Sequence, residues 1–459
     1  MNTVRARRPA LLAFALAVTL LATAAPQPAE AGHRRSRSDR SIANGVVFSR
    51  ITESGPNQIR LITINPKQAH ATTDVALASN SFPGWARTSQ MARAHNAIAA
   101  VNGDFGISPG RPLHAFLMDG KLVQSGIRTG AAFASANDVS NSYADHPVVN
   151  VSAYVMSSRA SFGIEKWNSG DPKGNEIAAY TPSGGSVERP PRGACSVRLQ
   201  PAGSPTWTSS REGIQRVYSV QATASCGGSM KVQGGVVLSS RSGSTAATTL
   251  KGLKSGAQIR VTTSYTWPDI LDSIGGNPQL VQNGRNVAPG NCGYFCNRNP
   301  RTGVGVTSDG KILIMTVDGR QSGWSVGMTL QQWANEFRKF GAVWAINLDG
   351  GGSTTMWVKG SVVNRPSDST GERYVSSALL VLPGKDSGDP QISAPIVGGT
   401  SGRASAPPSA FARRSASKAQ EDPASTGGLL DAVASGALGG STRLSPGLRR
   451  DAAAFRASH

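Results

Sequence analysis

Residues 329–355 read TLQQWANEFRKFGAVWAINLDGGGSTT. Leu330, Trp333, Ala334, Phe337 and Phe340 recur at helical spacing and give one apolar face. Thr329 and Gln332 stand three apart, as a capping box requires, and Gly341 suits a helix stop. Ala342 to Leu348 is then a nearly unbroken apolar run, the pattern of a strand buried on both faces. It ends in Asp349, three glycines (Gly350, Gly351, Gly352), Ser353, Thr354 and Thr355. Polar residues at the end of a buried strand are where α/β sheets place ligand sites. A weaker copy of the same unit lies upstream. Thr88 to Asn96 predicts a helix and Ala97 to Val101 a buried strand, which runs into Asn102-Gly103-Asp104-Phe105.

Outside these units, short β-like runs alternate with turn signals. Gln58 to Ile64 alternates polar and apolar residues, as a half-buried strand does; Val148–Met156, Ile214–Ala224 and Gln258–Tyr265 read the same way. Asp-Gly pairs predict hairpin turns at Met118–Lys121 and Ser308–Lys311. Residues 157–192 read as loop or insertion, and His114 falls in a predicted strand. The expected fold class is α/β, of α+β-like character: a β-rich, mixed-sheet single catalytic domain over residues 44–384 with few helices. A signal peptide and a disordered tail flank it.

The 459 residues carry 47 Lys and Arg against 27 Asp and Glu. Arg5, Arg7 and Arg8 precede the apolar run Leu11–Ala25 and small-residue cleavage sites, which predicts a signal peptide over 1–31. Residues 32–43 read as a basic linker. Residues 385–459, rich in Ser, Ala, Gly and Pro, read as a disordered or wall-embedded spacer. Residues 42–384 hold 31 basic and 19 acidic residues, so +12 of the formal +20 lies in the folded part. A basic exported protein favours anionic partners. Export and the lack of a helix-turn-helix, zinc-finger or RNA-sheet signature argue against nucleic acid. No segment beyond the signal is long and apolar enough to span a bilayer. The four cysteines allow three pairings; an oxidising compartment and the shorter loops favour Cys195–Cys226 and Cys292–Cys296.

The glycine run removes every Cβ, so backbone N–H groups can approach an anion. No Lys follows it, which excludes a P-loop. Ser325–Leu330 and Ala345–Met356, with Arg301-Thr302-Gly303-Val304-Gly305, Asp318-Gly319-Arg320, Asn364–Asp368 and Gly371-Glu372-Arg373, resemble the phosphodiester glycosidase family. The resemblance spans roughly residues 92–383, is strongest over 301–382 and is thin across 140–270. Gly106 stands where the family usually has a second aromatic, and Gly303 where it has Ala.

The resemblance implies hydrolysis of the bond between a sugar's anomeric carbon and a phosphodiester oxygen. A phosphate monoester leaves readily, so the site needs charge complementarity and a carboxylate that activates water or attacks C1. Arg301, Arg320 and Arg373 are the candidate phosphate clamps. Asp349 ranks first among the carboxylates and Glu372 second, with Asp318 and Asp104 as water-orienting or hydroxyl-binding groups. Asn102, Asn347, Thr302, Ser353, Thr354 and Gly350–Gly352 complete the candidate substrate contacts, with His114 ranked low. No metal or cofactor is expected. The expected substrate is a cell-wall or extracellular phosphoglycan. The rival readings are a non-catalytic module that binds anionic wall polymer and a phosphodiesterase that breaks P–O.

Overall fold

A computed structural model describes residues 35–384, apart from residues 80, 128–129, 136–141, 204–205, 208–213, 229 and 268–269. The segments expected to be a signal peptide (1–31) and a tail (385–459) lie outside the described residues. The deciding stretch folds as read. Leu330–Lys339 is an α-helix closed by the reciprocal Thr329–Gln332 capping box, and Ala342–Asn347 is a strand. The upstream unit is shorter than expected: a helix over Thr88–Ala94 and a strand over Ala99–Asn102.

Ala342–Asn347 lies inside an eight-stranded sheet. The order across it is Arg35–Ala43, Val46–Glu53, Asn57–Ile64, Ile312–Val317, Arg301–Thr307, Ala342–Asn347, Gln279–Gln282, Arg285–Asn286. One face packs under the helix through Trp333, Phe337, Ile51, Leu61 and Met315. The other faces Val101, Phe116, Phe133 and Leu379 from two five-stranded sheets. Asn57–Ile64 is therefore buried on both sides, where its alternation predicted a half-buried strand. Arg60 is accommodated by donating to the carbonyls of Ile59 and Val363.

Residues 35–43, expected as part of a linker, form the edge strand of this sheet. Arg35 pairs with Glu53 and Glu336 and lies over the Phe340 ring, which fixes the strand in place. Arg37 and Arg40 leave the edge strongly basic, a pattern that discourages edge-to-edge pairing.

Ala99–Asn102 is the central strand of a five-stranded sheet, between Met356–Val358 and Ser377–Pro383. A nine-stranded sheet holds the middle of the chain, with Val149–Val155, Ile214–Cys226 and Gln258–Tyr265 as predicted. The loop expected over 157–192 is instead partly sheet: Ser161–Gly163, Lys166–Trp167 and Ile177–Tyr180 pair into it. The last two form a short parallel ladder in an otherwise antiparallel set. Both predicted disulfides are present, Cys195–Cys226 and Cys292–Cys296. The Asp119-Gly120 turn has both residues at positive φ, as its sequence required. No described helix is long and apolar enough to cross a membrane.

Candidate active site

The two strand ends meet. The Asp349 N–H donates to the Gly103 carbonyl (3.0 Å), and the Asn102 amide donates to the Asp349 carbonyl (2.7 Å). Asn102 Oδ1 accepts from the Thr302 hydroxyl (2.7 Å) and the Thr355 N–H (3.1 Å). Buried Asn102 thus ties three strand ends together, and both it and Thr302 have their polar groups engaged within the protein rather than offered to a ligand. Asn347 likewise donates to the carbonyls of Asn277 and Leu348.

Asp349 is the carboxylate that this frame presents. Burial raises its pKa to about 6, against the opposing pull of the Ser353 hydroxyl, the Arg373 charge and the Gly350 N–H; the Asp104 charge adds to the rise. Such a group changes protonation close to neutrality, as a general acid or base must.

The glycine turn packs against cations. Gly351 has φ +59°, and a Cβ there would lie 3.1 Å from Arg320 Nη2. A Cβ on Gly352 would fall 2.1 Å from both Arg373 Nη2 and Asp368 Oδ1. The turn is bare so that two guanidinium groups can close on it. It is not the open collar of amides expected: the Gly350 N–H caps Asp349 Oδ1 (2.9 Å) and the Gly351 N–H binds the Pro300 carbonyl (2.9 Å). Ser353 and Thr354 are buried. Ser353 bonds Asp349, and the Thr354 hydroxyl has no partner among the described residues.

The three predicted arginine clamps separate into two kinds. Arg320 is exposed, held by Asn299 Oδ1 (3.1 Å) and by the Tyr294 ring 5.6 Å away. Arg373 is oriented by a two-pronged pair with Asp368 (2.7 and 3.0 Å), and its charge reaches Asp349. Arg301 corrects the expectation. It is fully buried and donates to the carbonyls of Met328, Phe295 and Asn297 at 2.6–3.0 Å. Burial, then the nearby Arg320 charge, lower its pKa to about 9. Its place is beneath the site, as a brace for the wall that carries Tyr294.

Two carboxylates are engaged within the protein in the same way. Glu372 accepts from the Ser89 N–H and hydroxyl, both at 2.6 Å, and so caps the Thr88–Ala94 helix. Asp318 accepts from Trp324 Nε1, Asn364 Nδ2 and the Arg365 N–H at 3.0–3.1 Å, although burial raises its pKa. It holds Asn364, which in turn binds the Thr354 carbonyl and the Met356 N–H. Asp104 is the carboxylate that remains beside Asp349. Its Oδ1 lies 2.7 Å from His114 Nδ1, and it accepts from the N–H groups of Phe105 and His114. His114 sits in a bend rather than the predicted strand, and its ring edges against Phe105.

Asp368, Asn299 and Asn364 were not read as site residues. Asn364 and Asp368 lay in a quoted motif, and the signal that could have found Asp368 was a carboxylate five positions before Arg373. Trp85, 40% exposed, was also missed: its ring fills the space above Gly106, 2.6 Å from where a Cβ would stand. Asp74, Asp119 and Asp272 form a carboxylate cluster with the ligand spacing of a metal site. None of the three belongs to the group around Asp349.

The fold defined here recurs in solved structures. A Burkholderia pseudomallei protein described as exported superposes with a TM-score of 0.58 at 19% identity, over 77% of this chain and 97% of that one. A hypothetical protein from Synechocystis gives 0.56 at 21% identity, over 76% and 68%. At these identities the likeness is one of fold. Residues 211–382, a stretch that includes Arg320, Asp349 and Arg373, match the phosphodiester glycosidase family model. Asn102, Asp104 and His114 lie outside the matched stretch. The SPbeta prophage-derived uncharacterized protein YomE of Bacillus subtilis is 37% identical over 89 residues, 19% of this chain and 14% of that protein's length.

Proposed function

We propose that the protein is an exported hydrolase that removes a sugar from a sugar-1-phosphodiester by cleaving the C1–O bond. The observation that carries this reading is the meeting of Asp349 with Arg320 and Arg373 around a glycine turn that leaves room for both guanidinium groups. Two arginines suit the diester phosphate and the monoester that leaves. Asp349, ionised above about pH 6, either takes the proton of the attacking water or attacks C1 itself. Asp104, oriented by His114 and two backbone N–H groups, lies beside it to align water or a sugar hydroxyl. The net +12 of residues 42–384 and the two disulfides favour an anionic polymer met outside the cell, such as a wall phosphoglycan.

The test is hydrolysis of a set of sugar-1-phosphodiesters in oxygen-18 water. Label in the sugar supports the proposal. Label in the phosphate would show P–O cleavage instead. No turnover with any member, together with saturable binding of wall polymer, would replace the enzyme by a binding module. Asp349→Asn serves as the blank.

A further inference from the structure

A separate hollow of about 230 Å³ opens on the nine-stranded sheet, where the Phe116–Gln124 hairpin meets it. Lys121, Trp167, Thr181, Arg216, Tyr218 and Thr263 are among its lining residues. None of them is a hydrogen-bond or charge partner of Asp349 among the described residues, and none serves the proposed hydrolysis.

The charge here is unbalanced. Among the described residues, neither Lys121 nor Arg216 forms an ion pair or a side-chain hydrogen bond. Elsewhere sheltered cations have acceptors: Arg111 meets Glu188, Arg373 meets Asp368, and Arg60 and Arg301 donate to backbone carbonyls. Lys121 stands at the mouth, yet the surrounding walls and then the Arg216 charge lower its pKa. Two cations that face one hollow and repel each other lack the anion that would relieve both. Trp167 adds a second incomplete feature: its indole N–H is buried and has no acceptor among the described residues. With Tyr218 it supplies aromatic surface beside the charges. The volume is below the roughly 300–1,000 Å³ of pockets for drug-sized ligands, which limits the occupant to about one sugar unit.

We propose that this hollow binds a monosaccharide phosphate, with Lys121 and Arg216 on the phosphate and the Trp167 and Tyr218 side on the sugar. Arg216 suits the fork geometry of phosphate oxygens, and Lys121 adds a mobile point charge at the entrance. This inference does not rest on the hydrolase reading and holds for an inactive protein as well.

The test is calorimetric titration of the full chain with glucose 6-phosphate, which carries no anomeric phosphate, alongside inorganic phosphate and glucose. Glucose 6-phosphate is expected to bind at low salt, with glucose silent and inorganic phosphate at least about tenfold weaker. Lys121→Met and Arg216→Met should each weaken binding at least about tenfold, since each removes a charge-assisted contact. Unchanged unfolding midpoints in both variants establish that the fold is intact. Arg320→Met, at the other site, should leave this binding in place. Wild-type binding in the Lys121 and Arg216 variants, inorganic phosphate binding as tightly as the sugar phosphate, or no binding at millimolar concentration would each overturn the assignment.

Discussion

Asp349→Asn should abolish turnover and, at neutral pH, make the protein more stable. The carboxylate ionises at about 6 in the folded chain against the ordinary 3.8, and burial is the main cause. The folded state therefore holds the proton more tightly than the unfolded state. Below pH 3.8 the group is neutral in both states and costs nothing. Between about 4 and 6 the unfolded chain loses its proton first, so stability falls as pH rises, and above 6 the loss is complete. The gap corresponds to about 3 kcal/mol. An amide has the shape of the carboxylate without its charge and still accepts from the Gly350 N–H. For a folded region of about 350 residues, that energy moves the melting temperature by about 4 °C. Scanning calorimetry on wild type and variant at pH 4 and pH 7.5 reads the effect. The variant should melt higher at pH 7.5 and level with wild type at pH 4. Equal midpoints at pH 7.5, or a difference that persists at pH 4, would falsify the assignment of a strained, buried charge to Asp349.

Other substitutions separate chemistry from support. Arg320→Met should cut kcat/KM by about tenfold or more, with little change in stability. Arg301→Met should do the reverse in kind, since unpairing three buried carbonyls costs about 2–4 kcal/mol; equal effects from both arginines would contradict the division drawn here. Glu372→Ala should lower stability by about 1 kcal/mol through its loss as a helix cap while turnover stays within a few-fold; a collapse of kcat with an intact fold would restore its catalytic reading. Joint replacement of Cys292 and Cys296 by Ser frees the loop that sets Tyr294 under Arg320, so KM should rise severalfold with kcat within about twofold, and unchanged kinetics would show that the loop holds without its bridge.

What the sequence revealed, and what it hid, follows from the range of the interactions. The helix at 330–339 was legible because its stripe, cap and stop all lie within a dozen residues. The strand at 177–180 was not, since its antiparallel partner at 236–240 comes some sixty residues later, and 166–167 in turn pairs only onto 177–180. The same holds for the site. The motifs located the chemistry-bearing residues, yet a motif does not say which way a side chain faces. Glu372 is held by Ser89, 283 positions earlier, and Asp318 by Asn364, 46 positions later. Arg301 was misread for a related reason: backbone carbonyls of two segments, Phe295 and Asn297 in one and Met328 in the other, enclose it, and a carbonyl carries no sequence signature.

These corrections reduce the number of candidate reacting groups while explaining why so many polar residues surround the strand ends. Asn102, Thr302, Asp318, Asn364 and Glu372 each satisfy buried backbone or side-chain partners. Buried donors and acceptors left alone would cost about 1–3 kcal/mol apiece, so a junction of several strand ends needs such residues whether or not it is an active site. Asp349 differs in kind. A junction built for stability alone would not keep a carboxylate whose burial raises its pKa to about 6 with two arginines set on the adjoining turn. The local instability is the argument for function: the frame of asparagines and braces holds in place, beside two arginines, a group that would be better neutral.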